Sequence, residues 1–419
     1  MRKVLMVAYH FPPFTGGSGV LRTLKFCKYL PGFGWDPIIL TAHPRAYPAV
    51  GGGQLGDIPH GVRVHRAFAL DTGKHLALRG AYPRIFALPD RWVSWWPVAV
   101  LKGWQILKKI KPEVIWSTYP IATAHLIGLT LHRLTGIPWV ADFRDSMTEE
   151  GYPREKFTRN CYLWIEKKTV EQASKIVFTA DSTKDMYLNR YPKLSESRCE
   201  VIQNGYDEED FGFLKNEVAT QVSSKVPIRL VHAGLVYPQE RNPRPFFKAL
   251  ARLKKEGKIL SSALQVELRG AGTEDMYHPL LKELEIDDII FLLPPLPYRE
   301  SLEDCLHASA FLVFQGGDCN HQIPAKVYEN LRMGKPILAL TDHLGETAKL
   351  LAHCGGATVL DMADEQIIYE GLPVFIAKVH ERKHLLPDRI KVSLFARRSQ
   401  AQQLAEIFQT VILNAAGRK

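Results

Sequence analysis

The chain has 419 residues, 46% hydrophobic and 23% charged, which suits two globular domains, each with its own core, and points to an enzyme or a binding protein. No apolar run approaches the roughly 20 residues of a membrane span, and six cysteines lie far apart with no C-x-x-C, which fits buried thiols better than disulfides or zinc. Charge is uneven: Met1 to Gly205 holds 28 Lys/Arg against 16 Asp/Glu, or +12, whereas Tyr206 to Lys419 holds 26 against 28, or −2.

The first apolar run, KVLMVAY, has a basic start, but His10 and a Pro pair interrupt it. It reads as a first strand rather than a signal peptide, so a cytoplasmic chain is expected. In the loop HFPPFTGGSGVLRT that follows, Gly16, Gly17 and Gly19 lead into a helical pattern whose free N–H groups suit an anion. The spacing is neither G-x-G-x-x-G nor a P-loop, and a tight strand-to-helix turn explains the glycines equally well. His10 lies beside this loop. DPIILTA is the next strand. PDRWVSWWP then presents Trp92, Trp95 and Trp96 ahead of LKGWQILKKIK with Lys108 and Lys109, a mixture that suits an anionic membrane interface or, equally, a core. EVIWST, IPWVADF and KIVFTA complete a set of strands separated by helical periods, which is the pattern of a parallel, doubly wound sheet. Asp142, Arg144 and Asp145 gather at one strand exit, either at a reaction centre or as an Asp–Arg pair bracing a loop. Basic charge in this half leaves anionic lipid, a phosphorylated substrate or simple solubility open. No zinc-finger spacing, RNP motif or arginine-rich tail favours nucleic acid.

After CEVIQNG the pattern lapses, then restarts with IRLVHAG, QVELRGAG, DIIFLLP, AFLVFQGG and KPILAL. The expected organisation is an α/β chain of two Rossmann-like parallel-sheet domains facing a central cleft: 1–204, a linker at 205–226, and 227–419, with a C-terminal helix able to pack back on the first domain. In the second half, Gly234 allows close approach of a ligand, Arg241 or Arg244 can reach a diphosphate, and the proline-rich exit around Leu296 offers backbone groups to a base. For His125 and His232, a satisfied buried histidine is the simpler reading.

Taken together, the glycine loop after strand one, NGYDEEDF, HAG followed by Arg, and PAKVYENLRMGKPILAL resemble the GT-B glycosyltransferases of the family-4-like, retaining kind, over nearly the whole chain. The resemblance implies that Glu329 accepts hydrogen bonds from the ribose of a nucleotide-sugar, a UDP-sugar favoured, and that Lys326 meets the diphosphate. Many relatives carry a second Glu eight positions earlier, where this chain has His321, leaving Asn320, His321 or Gln322 for sugar hydroxyls. It also implies no cofactor and no metal, a glycan or polyprenyl-linked acceptor at the first domain, and a role in surface polysaccharide synthesis, with Arg144 standing near the place where some relatives have a His. A GT-B sugar-nucleotide 2-epimerase and a non-catalytic sugar-nucleotide-binding protein are the alternatives.

Overall fold

The computed structural model describes residues 1–15, 19–52, 54–79, 81–216 and 227–417. Two compact units are present: 1–203 with 397–419, and 204–396. The expected division therefore shifts at its linker. Of the expected linker, residues 205–216 belong to the second unit, with a short 3-10 turn at Glu208–Asn216, and 217–226 lie outside the described residues. The last helix, Arg397–Ala416, belongs to the first unit.

The first unit is built on seven parallel strands: β1 (Arg2–Val7), β2 (Trp35–Ala42), β3 (Arg63–Ala67), β4 (Val114–Thr118), β5 (Trp139–Phe143), β6 (Lys175–Phe178) and β7 (Cys199–Val201). Their order is β3-β2-β1-β4-β5-β6-β7. The near-continuous apolar runs follow from burial on both faces. In β1, Leu5 and Val7 enter one core while Val4 and Met6 enter the other. That second core is completed by the 397–416 helix, whose Leu404 and Phe408 are fully buried and whose Phe408 ring meets Trp35 edge-on at 5.1 Å.

The second unit has six parallel strands: β8 (Ile228–Ala233), β9 (Leu264–Arg269), β10 (Ile290–Leu293), β11 (Ala310–Gln315), β12 (Ile337–Thr341) and β13 (Ala357–Leu360), in the order β10-β9-β8-β11-β12-β13. Here too the order reverses beside the first strand, which puts the β8 and β11 exits at a topological switch point, the position where open α/β sheets bind ligands. The helix Ala325–Met333 starts after Pro324, which supplies an extended residue at the cap. It ends at Gly334, whose φ of 68° is the left-handed turn that a Cβ disfavours.

Candidate functional site

In the second unit the 325–333 helix buries Val327, Tyr328 and Leu331 against the sheet, and this packing brings Glu329, 6% exposed, to the rim of the core. Its two carboxylate oxygens are treated differently. Oε1 accepts a hydrogen bond of 3.0 Å from the phenol of Tyr298, while the Lys326 ammonium lies 2.7 Å from Oε2. That second contact is an ion pair without hydrogen-bond geometry, so Oε2 has no hydrogen-bond partner among the described residues. Lys326 also sits 5.4 Å from the centre of the Tyr298 ring. The same phenol reaches Asp210 Oδ2 at 3.2 Å, tying the NGYDEEDF segment to this group. Arg332, one turn on from Glu329, pairs with Glu208 and lies over the rings of Tyr206 and Phe211. Glu329 and Lys326 are thus brought together, and Tyr298 and Asp210 join them without having been picked out in the sequence.

The β8 exit forms a second group. Gly234 has φ 153°, and its N–H donates to the Arg269 carbonyl at 3.0 Å. His232 is buried, with Nδ1 3.0 Å from the Leu312 carbonyl and Nε2 buried without a hydrogen-bond partner among the described residues. Burial above all, and then the Arg241 charge, bring its pKa down to about 4, so the ring is neutral. Arg241 is half-buried, donates to the Leu235 carbonyl at 3.1 Å and lies over the Tyr237 ring, leaving its Nε buried and unpartnered. Arg244 is exposed at the start of the next helix. Leu296 is half-buried in the loop between β10 and the helix Tyr298–Cys305, two residues before Tyr298. Beyond β11, Asn320 donates to Asp342 Oδ2 at 2.5 Å, its Oδ1 is buried without a partner, and Gln322 Nε2 lies 3.3 Å from His321 Nε2.

In the first unit, Gly16 and Gly17 lie outside the described residues. Gly19, at the first residue of the helix Gly19–Tyr29, is the meeting point of two other candidates. A Cβ there would stand 2.9 Å from His10 Nδ1 and 3.4 Å from an Arg144 nitrogen, and Arg144 Nη1 donates to the Gly19 carbonyl at 2.9 Å. Burial, then the neighbouring Arg144 charge, bring the His10 pKa down to about 3. The imidazole is neutral at physiological pH, a hydrogen-bonding group rather than a cation.

Asp142 does not share this place. It is fully buried and accepts two parallel hydrogen bonds from Arg22, at 2.9 and 3.0 Å, and one from Thr118 at 3.2 Å. Arg22 in turn donates to the carbonyls of Ile202 and Gln203, both at 3.0 Å. The carboxylate therefore braces the sheet against the 19–29 helix and the end of the unit's first segment, and its partner is Arg22 rather than Arg144.

The tryptophan cluster also divides. Trp95 is fully buried with its ring 6.1 Å from that of Tyr9, and Trp92, also against Tyr9, donates to the Ala46 carbonyl, so neither is a surface anchor. Trp96 is 37% exposed and donates to Thr130 Oγ1. Lys108 and Lys109 are exposed, Lys108 over Trp104. In the segment before this cluster, Leu78 (80%), Ile85 (72%) and Phe86 are exposed, interspersed with exposed Lys74, Arg79 and Arg84.

Residues 17–205 match the glycosyl transferase 4-like domain. No curated protein matches the sequence of the chain. Among solved structures, the chain is similar to sucrose-phosphate synthase from Thermosynechococcus elongatus, at 14% identity and a TM-score of 0.66, over 99% of this chain and 100% of that one. A glycosyltransferase from Rickettsia africae ESF-5 is similar at 13% identity and a TM-score of 0.64, over 98% of each chain. Anabaena HepE in complex with UDP and glucose is similar at 13% identity and a TM-score of 0.59, over 100% of this chain and 99% of that one. At these identities the likeness is one of fold.

Proposed function

We propose that this chain, whose residues 17–205 match a glycosyl transferase 4-like domain and whose fold is similar to that of sucrose-phosphate synthase and HepE, is a glycosyltransferase that transfers a sugar from a nucleoside-diphosphate sugar, a UDP-sugar, to a glycan or lipid-linked acceptor in surface polysaccharide synthesis, with retention. The observation that carries the donor reading is Glu329: a carboxylate at the rim of a core, with Lys326 beside it and one oxygen lacking a hydrogen bond among the described residues. A ribose hydroxyl supplies what such an oxygen lacks. HepE is described in complex with UDP and with UDP-glucose, which favours uridine as the base.

In this reading the bond between the sugar C1 and the diphosphate oxygen breaks as the acceptor oxygen bonds to C1 on the same face, and the acceptor proton passes to the departing phosphate oxygen. Lys326, Arg241 and the backbone N–H groups of the glycine loops neutralise the leaving group without a metal. Arg144 adds charge, and His10, neutral, orients substrate by hydrogen bonding. Asp142, held by Arg22 and Thr118, is assigned a structural role in this reading.

The experiment is turnover of UDP-sugars with an acceptor mixture, reading UDP release and the product, with EDTA present. Glu329→Gln should weaken UDP binding by about 1–3 kcal/mol, the cost of losing a charged acceptor in a desolvated place. Unchanged affinity in calorimetry would sink the ribose assignment, and activity that returns only with Mg²⁺ or Mn²⁺ would reject the metal-free leaving group. The acceptor reading has its own support. The segment 71–88, DTGKHLALRGAYPRIFAL, has one acidic residue, the helix cap Asp71, no carboxylate in the stretch that carries Leu78, Ile85 and Phe86, and three cations among them. An anionic membrane surface holding a polyprenyl-linked acceptor suits that composition.

A further inference from the structure

Tyr298 is the first residue of its helix and is held between two carboxylates, 3.0 Å from Glu329 Oε1 and 3.2 Å from Asp210 Oδ2. A phenol has one proton to give. Glu329 needs its side chain fixed if it is to grip a diol, because a carboxylate at the end of three rotatable torsions must be held in one orientation to accept two hydroxyls. The ion pair with Lys326 does not fix it: an ammonium is a point charge, and this contact lacks hydrogen-bond direction. The phenol does fix it, since an aromatic ring packed beside the helix has few rotamers and its hydrogen bond is directional. Burial, then the charges of Glu329 and Asp210, raise the Tyr298 pKa well above the ordinary phenol range, so the group keeps its proton and remains a donor at every working pH.

We propose that Tyr298 is the positioning residue of the nucleotide site: it holds Oε1 of Glu329 so that Oε2, which no hydrogen bond engages, is presented to the ribose hydroxyls. Asp210 is the second acceptor of the same phenol and is not needed for the grip. This rests on the ribose reading of Glu329. It goes beyond that reading by assigning the orientation of the carboxylate to a residue that need not touch the ligand.

The test compares UDP with 2′,3′-dideoxy-UDP, which shares the base and the diphosphate but lacks the diol. Calorimetric Kd values are measured for the wild type, Tyr298→Phe and Asp210→Ala. The wild type should bind UDP more tightly than the dideoxy ligand. In Tyr298→Phe the UDP Kd should rise about 5- to 10-fold while the dideoxy Kd hardly moves, so the ratio of the two falls toward one. Asp210→Ala should keep the wild-type ratio. A Tyr298→Phe variant that weakens both ligands equally, or neither, overturns the positioning role, as does a loss of the ratio in Asp210→Ala as large as in Tyr298→Phe. A wild type that does not distinguish the two ligands overturns the ribose reading itself. The dideoxy ligand reports in the same variant whether the site is folded.

Discussion

At the scale of single residues, the bond between Arg22 and Asp142 is the clearest case of a charged pair with a structural task. Both side chains are at most 1% exposed, and the fork of the guanidinium matches the carboxylate in two parallel hydrogen bonds. Removing one partner leaves the other buried and uncompensated, which costs about 3–5 kcal/mol. Asp142→Ala should therefore lower the free energy of urea unfolding by that order, while the affinity of the second unit for UDP is unchanged. A stable variant that has lost only turnover would return Asp142 to the chemistry. The sequence shows Asp142 and Arg144 two positions apart and invites their pairing. What it does not show is a partner 120 residues away. One sign was present: Arg22 interrupts the apolar run VLRTLKF, and a charge inside a helix face that must be buried needs a buried counter-charge. Glu329 and Lys326 were legible because three residues of helix separate them. Tyr298 was not, since nothing local marks a tyrosine after a proline run as a hydrogen-bond donor to a different helix.

At the scale of elements, strands were readable because burial on both faces removes alternation and leaves unbroken apolar runs such as AFLVF, in which Leu312 and Phe314 enter one core and Phe311 and Val313 the other. Surface segments follow no such rule. PDRWVSWWP looked like an interfacial belt, yet Trp95 is wholly buried, and exposure falls instead on Leu78, Ile85 and Phe86. The segment is tied to its neighbour by Arg84, 3.6 Å from Glu155 at the cap of the helix Lys156–Gln172, and Thr72 Oγ1 donates to the Phe86 carbonyl at 2.6 Å. If this segment meets an anionic bilayer, binding to phosphatidylglycerol vesicles should fall with added NaCl, because the Debye length shrinks from about 10 Å at 0.1 M to about 3 Å at 1 M. It should fall again in a Leu78→Ser, Ile85→Ser double variant, while Lys108→Glu changes little. Sedimentation that ignores the double variant would move the contact elsewhere on the unit, and absence of vesicle binding would favour a soluble acceptor.

At the scale of the whole molecule, three histidines share one electrostatic bias. Burial lowers His125 and His10 to about 3 and His232 to about 4, from an ordinary value of 6.5. His125 is fully buried, with Nδ1 2.8 Å from Ser117 Oγ and with Tyr119, Trp139 and Phe143 around it, so nothing nearby welcomes a positive charge. The folded chain leaves these rings neutral where the unfolded chain protonates them below pH 6.5. The unfolded state then binds more protons, and stability rises with pH between about 4 and 6.5. Their stabilising share is present above pH 6.5 and is lost on acidification toward pH 4, with a limiting slope of about 1.4 kcal/mol per pH unit for each group. Melting temperatures measured over that range should drop steeply, and less steeply in His125→Gln. Equal slopes in the two proteins would count against His125 as a contributor. The organisation into two sheets could be read from the repeating strands, whereas for the last helix the sequence offered packing on the first domain only as a possibility, because an amphipathic helix can cover either sheet and packing decides.

That membership has a consequence for how the molecule comes into being. The face of the first sheet that carries Val4, Met6, Trp35 and Trp116 is covered partly by Leu404, Phe408 and Val411. A ribosome makes these covering residues only after the entire second unit. Until then the nascent first unit carries an open apolar face, the kind of surface that chaperones hold and that aggregates when left bare. A fragment ending at residue 203 should inherit that state permanently, and a synthetic 397–416 peptide supplied in trans is the natural remedy, recovered solubility being the sign that the missing wall has been replaced.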